Sequence, residues 1–238
     1  MNQRNLHIAE PAFATVPASR ACPSPLQYSI DLKSAHAVGR QELEACVAGK
    51  FDEQHQARIQ HFLPYLLSLG TSGRLGAVVG IRLAAESELF LERYLDSRVE
   101  RAISRVVKAP VDRHQVVEIG NLAAAVPGSA SLLFALLATV LDRAGIHWVV
   151  CTATPQVRSM LNRMQFPSHT ICAAEAAALG SEAGDWGNYY ACRPQVIVGD
   201  TRIAARAAAC NPAMADLTAK LLAPVAQIAA ALRAARQS

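Results

Sequence analysis

The stretch Val116–Leu141, VVEIGNLAAAVPGSASLLFALLATVL, restricts the fold more than any other part of the chain. It opens with β-branched and apolar residues interrupted by Glu118 and Asn121, the pattern of a buried strand carrying two polar groups. Pro127 and Gly128 then mark a turn, with Ser129 or Ser131 as helix N-cap. Leu132, Leu133, Leu136, Leu137, Val140 and Leu141 recur at helical spacing, and Gly145 closes the helix. A strand, a glycine turn and an exposed helix N-terminus can together hold an anionic phosphate, because free N–H groups and the helix dipole converge there. The same order is also that of an ordinary βα unit.

The flanking segments extend this unit into a sheet. Tyr28 to Leu32 reads as a short strand, and Val38 to Leu69 as one or two helices ending in a strand near Pro64–Leu69. The turn Gly70-Thr71-Ser72-Gly73 and the β run Leu75–Leu83 make residues 62–83 a hairpin, closed by Arg82. Ile146 to Thr154, IHWVVCTAT, is continuous enough for a strand buried on both faces. Gln156–Met164 and Ala173–Leu179 are expected helices, Gln195–Val198 a last strand, and Ile203–Arg236 an Ala-rich helix broken near Asn211-Pro212 and Pro224. Hairpin, then strand–helix–strand, predicts a mixed α/β sheet, parallel in its middle and flanked by helices. The expected organisation is a loose arm over 1–25, a main domain over 26–200 and a helical extension over 201–238.

With 238 residues, 52% of them apolar, the chain can bury a substantial core. A net charge of +4 permits an acidic partner without calling for nucleic acid. The six cysteines show no metal-ligand spacing and fit reduced thiols in the cytoplasm. Neither a signal peptide nor a run of about 18 apolar residues is present, so membrane contact is expected to be peripheral at most.

Several residues carry candidate chemistry. Glu118 in an apolar strand would have its pKa raised by desolvation, which suits a general base near neutral pH; an ion pair with Arg82 is the competing role. Trp186-Gly187-Asn188-Tyr189-Tyr190 gathers aromatics in a chain only 5% aromatic. Tyr189 or Tyr190 is a candidate acid, with core packing as the plain alternative. Arg98, Arg101, Arg105 and Lys108 form a basic stripe beside the apolar face Val99, Ala102, Ile103, Val106 and Val107: either a solvated surface or a dock for an acidic partner.

The order of elements resembles the GNAT acyltransferases, whose turn Gln/Arg-x-x-Gly-x-Gly/Ala is similar to Ala125-Val126-Pro127-Gly128-Ser129-Ala130. The resemblance implies Gly128, Ser129, Ala130 and Ser131 as the pantetheine-phosphate turn. It also implies acyl-CoA or an acyl-carrier-protein phosphopantetheine as co-substrate, with no permanent cofactor. Leu161 occupies the place of the usual catalytic tyrosine. Val78-Val79-Gly80-Ile81-Arg82-Leu83 resembles a strand of the acyl-homoserine-lactone synthases. Glu118-Ile119-Gly120-Asn121 lacks the Ser and Arg of their Glu-x-Ser-Arg strand, which speaks against a homoserine-lactone product.

Glu92-Arg93-Tyr94-Leu95-Asp96, Val117–Ala123, Thr152-Ala153-Thr154 and Trp186–Tyr190 are similar to the bacterial thermostable hemolysin family. Together these resemblances imply an N-acyltransferase that moves a medium or long acyl chain to a small amine such as an amino acid. Glu118, Asn121, Tyr189 and Arg82 would be catalytic, while Glu92, Tyr94, Leu122, Ala123, Thr152, Trp186 and Tyr190 would contact substrate. An acyl carrier protein on the basic stripe, and a homodimer, are the expected macromolecular partners. A membrane-active hemolysin and a non-catalytic acyl-binding protein are the alternatives.

Overall fold

A computed structural model describes residues 27–237; the arm expected over 1–25 lies outside the described residues. The described chain builds a seven-stranded sheet in the order β1-β2-β3-β4-β5-β7-β6. The strands are β1 Tyr28–Lys33, β2 Tyr65–Thr71, β3 Arg74–Leu83, β4 Val116–Ala124, β5 Trp148–Ala153, β6 Ser168–Ala173 and β7 Gln195–Asp200. β4 and β5 are parallel, joined by the crossover helix α3, Ser129–Arg143; the other described pairs are antiparallel. This is the expected GNAT-like mixed sheet.

Strand β6 departs from the sequence reading, which ran from the helix α4, Pro155–Arg163, straight to a helix at Ala173. β6 is the outermost strand, and its SHTICA is half-exposed throughout, so no apolar alternation betrays it. The alanine-rich segment that follows is a kinked 3-10 stretch, Ala176–Trp186, not an α-helix.

One face of the sheet carries α3, which brings Leu133, Leu136, Leu137, Val140 and Leu141 onto Val79, Ile81, Val117 and Ile119. The other face carries α1, Arg40–His55, and α2, Val99–Val107. Leu43 and Val47 of α1 cover Leu66, Val78 and Ala123; Val99 and Ile103 of α2 cover Val116, Val150 and Val198.

The C-terminal residues form α5 Thr201–Cys210, α6 Pro212–Lys220 and α7 Leu222–Gln237. Asn211 caps α6 through the Ala213 and Met214 amides, with Pro212 at the first helical position, as the sequence suggests. The second break falls at Leu221, and Pro224 sits within the first turn of α7. Leu217, Leu221, Val225, Ile228 and Leu232 belong to the same core as α3 and the sheet. Residues 201–237 therefore form an integral layer, tied to the end of α3 by Arg233 on the Arg143 carbonyl and Arg236 on Gly145 O at 2.6 Å. Among the described residues no single helix is long and apolar enough to cross a membrane; α6 and α7 reach that length only jointly, across a 78° bend.

The feature that shapes the site is a bulge in β4. Gly80 pairs with Gly120 and Val78 with Ala123, so Asn121 and Leu122 stand opposite the single residue Val79. Asn121 takes a left-handed φ of 49°, and its Oδ1 accepts the Leu63 amide at 2.9 Å. A Cβ on Gly80 would lie 2.9 Å from that Oδ1 and 3.0 Å from the Leu63 side chain, so the bulge requires glycine there. β4 pairs with β5 only over Val116–Glu118; beyond them β5 continues along β7 to Ala153 while β4 bends away. The two central parallel strands splay where the sequence places its polar residues.

Candidate active site

Glu118 is the last β4 residue paired with β5 and stands opposite Arg82 on β3. It is only 5% exposed. Its carboxylate accepts two backbone amides of the 3-10 turn Phe90–Tyr94: Phe90 N to Oε2 at 2.9 Å and Leu91 N to Oε1 at 3.0 Å. The Arg82 guanidinium is more distant, 3.8 Å from Oε2. Burial drives the Glu118 pKa above the ordinary carboxylate value, against the pull of the two amides and Arg82. The Arg82 Nε is buried without a hydrogen-bond partner.

Glu92, expected to contact substrate, is built into the protein. Oε2 accepts Leu89 N at 2.9 Å, Oε1 accepts Val99 N at 2.8 Å, and Arg113 grips both oxygens at 2.7 and 3.0 Å. Burial alone would raise its pKa; the hydrogen bonds from Arg113, Leu89 and Val99 outweigh that and hold it at about 2.

Beside Glu118, joined to it through Phe90, is an aromatic cluster. Trp186 lies 5.4 Å from Tyr189, 5.6 Å from Phe90 and 6.2 Å from Phe51, centroid to centroid. His55, at the end of α1, meets Tyr189 edge-on at 5.2 Å. Tyr189 is buried and donates its hydroxyl to the Thr152 carbonyl on β5 at 3.2 Å, while the Tyr94 and Tyr190 hydroxyls share a 2.5 Å hydrogen bond. Burial raises the pKa of all three phenols, which keeps them protonated at neutral pH. Tyr94, Thr152, Trp186, Tyr189 and Tyr190 are thus brought together on one side of Glu118. Leu122 and Ala123 diverge, the first packing toward α3 and the second under α1.

Phe51, His55, Phe90 and Arg113 are absent from the sequence-based site. Phe51 and His55 are four apart on α1 and hence share a face, a signal that was legible but had no partner to point to. Phe90 lies just ahead of the Glu92–Asp96 motif.

At the other end of the splay, Gly128 and not a serine caps α3, with φ 82° and no side-chain hydrogen bond. Ser129 is buried, and its hydroxyl faces Gly76 O at 2.7 Å and Val126 O at 2.6 Å, fastening the turn to β3. Its Oγ is committed to the fold. Among the described residues the amides of Gly128, Ala130 and Ser131 have no backbone partner, and these N–H groups are the turn's donors. On the α3 side of the splay lies an apolar cavity of ≈ 50 Å³ lined by Ile119, Cys151, Phe134, Leu137, Leu161 and Phe166. Leu161, which replaces the expected tyrosine, is part of this wall.

The basic stripe is less uniform than its spacing implies. Arg98 and Lys108 are the residues flanking α2, the latter with φ 55°. Arg105 is bidentate to Asp96 at 2.5 and 3.1 Å, and Arg98 reaches Glu100 at 3.6 Å. Arg101 and Lys108 project as exposed cations. Among the described residues no group of His, Cys, Asp and Glu is arranged to hold a metal ion.

The pattern of the thermostable hemolysin family matches residues 33–205, which spans strands β2 to β7 and the turn before α3. The chain belongs to the thermostable hemolysin family. No curated protein matches it in sequence. Among solved structures, the acyl-homoserine-lactone synthase LasI superposes with a TM-score of 0.51 at 11% identity, covering 74% of this chain and 90% of LasI. FeeM, an N-acyl amino acid synthase from uncultured soil microbes, gives 0.50 at 15% identity over 75% of this chain and 92% of its own. BjaI, a CoA-dependent acyl-homoserine-lactone synthase, gives 0.50 at 12% over 76% and 87%. These likenesses show a shared fold.

Proposed function

We propose that this family member is an N-acyltransferase that moves an acyl chain of medium or long length from a pantetheine thioester to a small amine such as an amino acid. The observation that carries the reading is the buried Glu118 carboxylate, with raised proton affinity, at the point where β4 and β5 splay. The acyl-homoserine-lactone synthases LasI and BjaI and the N-acyl amino acid synthase FeeM share the fold.

In this reaction the amine gives a proton to Glu118 and attacks the thioester carbonyl; a C–N bond forms, the C–S bond breaks, and the thiolate leaves. Beyond Glu118 the β4 edge that faces away from β3 has no β5 partner among the described residues, which leaves that edge near Leu122 and Ala123 to donate an N–H to the oxyanion. Asn121 serves by holding the bulge open through Leu63. The tyrosines Tyr94, Tyr189 and Tyr190 supply protonated hydroxyls on the acceptor side, with Trp186 and Thr152 as the wall. The amides of Gly128, Ala130 and Ser131 take the donor's phosphate, and the cavity beneath α3 takes the start of the acyl chain. The co-substrate is acyl-CoA or an acyl carrier protein, the latter docking on Arg101 and Lys108, the stripe's cations that form no ion pair among the described residues, in a cytoplasmic protein.

The membrane-lytic alternative would need α6 and α7, yet Leu217, Val225 and Leu232 are committed to the core. The test is mass spectrometry of reactions containing the protein, acyl-CoA or acyl-carrier thioesters of graded length, and a panel of amino acids. An N-acyl product with stoichiometric thiol release is expected; absence of both with every donor overturns the reading.

A further inference from the structure

Arg113 lies away from the aromatic cluster in sequence, in the 3-10 turn Arg113–Gln115 that precedes β4. Its guanidinium nevertheless has every N–H engaged. Nε donates to Ala84 O at 2.7 Å, Nη1 to Glu92 Oε1 at 2.7 Å and Glu100 Oε2 at 2.9 Å, and Nη2 to Ser87 O at 3.1 Å and Glu92 Oε2 at 3.0 Å. Two of these acceptors are carbonyls of the loop running from β3 to the turn that holds Glu118. Two more are the oxygens of Glu92, which in turn accepts the Leu89 amide. Three successive amides are therefore shared between two carboxylates: Leu89 to Glu92, Phe90 and Leu91 to Glu118.

We infer that Arg113 is the positioning residue for Glu118, fixing the loop 84–92 so that the Phe90 and Leu91 amides meet that carboxylate. The inference deepens the acyltransferase reading by naming what sets its base, and it rests on that reading only for the role of Glu118. Lysine cannot substitute: it has three donors on a point charge in place of a planar fork with five. Arg113 also neutralises Glu92, whose negative charge otherwise opposes ionisation of Glu118. The other titratable groups facing Glu118 are Arg82 from β3, Cys151 from β5 and Tyr94 from the 3-10 turn. None of these contacts Arg113 through a hydrogen bond or ion pair described above, so a change at Arg113 reaches Glu118 through the loop and through Glu92.

The experiment titrates the Glu118 carboxyl by 13C NMR in protein labelled at glutamate Cδ, the resonance being assigned by its loss in Glu118→Gln. With Arg113→Met, the Glu118 midpoint rises by about one pH unit, a tenfold change in proton affinity. Adding Glu92→Gln, which removes the charge that Arg113 neutralised, reverses part of the rise. Glu100→Gln removes one hydrogen bond remote from the loop and leaves the midpoint in place. Should Arg113→Met fail to fold, Arg113→Lys keeps the charge and is expected to show a smaller rise of the same sign. A folded Arg113 variant with the native Glu118 midpoint overturns the inference. The titration needs no turnover, so a protein without acyl transfer sinks the enzymatic reading and leaves this one to be decided by the NMR shift.

Discussion

Gly187→Ala is expected to be the most damaging single-methyl change in the site region, and the structure says how damaging. Gly187 adopts φ 51° and ψ −125°, a conformation essentially reserved for glycine. A Cβ there would fall 2.1 Å from His55 O and 2.6 Å from Gln56 O, both backbone atoms at the end of α1. The segment cannot back away cheaply, because Asn188 N donates to His55 O at 2.9 Å and Arg58 N to Asp185 O at 2.6 Å. Backbone strain of about 1–3 kcal/mol adds to a clash of about 1–3 kcal/mol. At about 2–4 °C per kcal/mol for a chain of this size, melting should fall by roughly 10 °C. Gly128→Ala is the control: its φ is 82° but nothing lies within 4 Å of the new Cβ, so only the left-handed strain remains. That strain is about 1 kcal/mol, or about 3 °C. Thermal melts of both variants in a Trp148→Phe background, where Trp186 becomes the sole tryptophan, also report on the aromatic cluster through its emission. Equal melting losses for the two variants, with unchanged Trp186 emission in Gly187→Ala, would refute the claim that this glycine seats the cluster on α1.

If the carboxylate is the base of the proposed transfer, Glu118→Gln should lower turnover by roughly a hundredfold or more, and the native protein's activity should fall as pH drops through the raised Glu118 pKa; a variant with native turnover per folded molecule and a lower melting point would assign it to structure instead. Ser131→Glu places a negative charge at the free amides of α3 without asking glycine's conformation of a larger residue, so long-chain acyl-CoA binding by calorimetry should be lost while the melt is retained; unchanged affinity would remove the turn from the donor site. Reversing Arg101 and Lys108 to Glu should slow transfer from an acyl carrier protein by roughly tenfold at low salt and less at high salt, with transfer from acyl-CoA unaffected; equal loss with both donors would rule out docking there.

The parts of this fold that were legible in the sequence are those with a period. The β4–α3–β5 unit and the β2–β3 hairpin announce themselves because a buried strand and an amphipathic helix each require a repeating apolar pattern. β6 carries no such pattern, since an edge strand exposed on its rim has only half a reason to be apolar. The site was legible as residue types and not as geometry. Glu92 stood out in a motif, yet whether a carboxylate faces a ligand or an arginine depends on residue 113, twenty-one positions on. Ser129 looked like a phosphate ligand because serines cap helices; its hydroxyl turned inward because Gly76 leaves β3 close enough to receive it, with only 3.4 Å between a Gly76 Cβ and that of Ser129. The stripe of cations was correctly spaced, but Asp96, outside the helix, claims Arg105.

Glu92 and Glu118 make the strongest internal argument for where the proton goes. They hang from the same short turn, which supplies one amide to the first and two to the second. Glu92 adds Val99 N and a bidentate arginine, so each of its oxygens accepts two hydrogen bonds and its pKa settles at about 2. It cannot collect a proton near neutral pH. Glu118 has one amide on each oxygen and an arginine held off at 3.8 Å, so burial prevails and its proton affinity rises. Were Glu118 simply half of an ion pair, Arg82 would be its nearest donor, and Arg82 would not keep a buried Nε without a partner. Two carboxylates on one turn, driven in opposite directions by their donors, divide the labour: Glu92 braces the loop, and Glu118 is left under-satisfied at the mouth of the splay. In the proposed acyl transfer, an amine entering from the aromatic side meets there the one of the two whose proton affinity is raised.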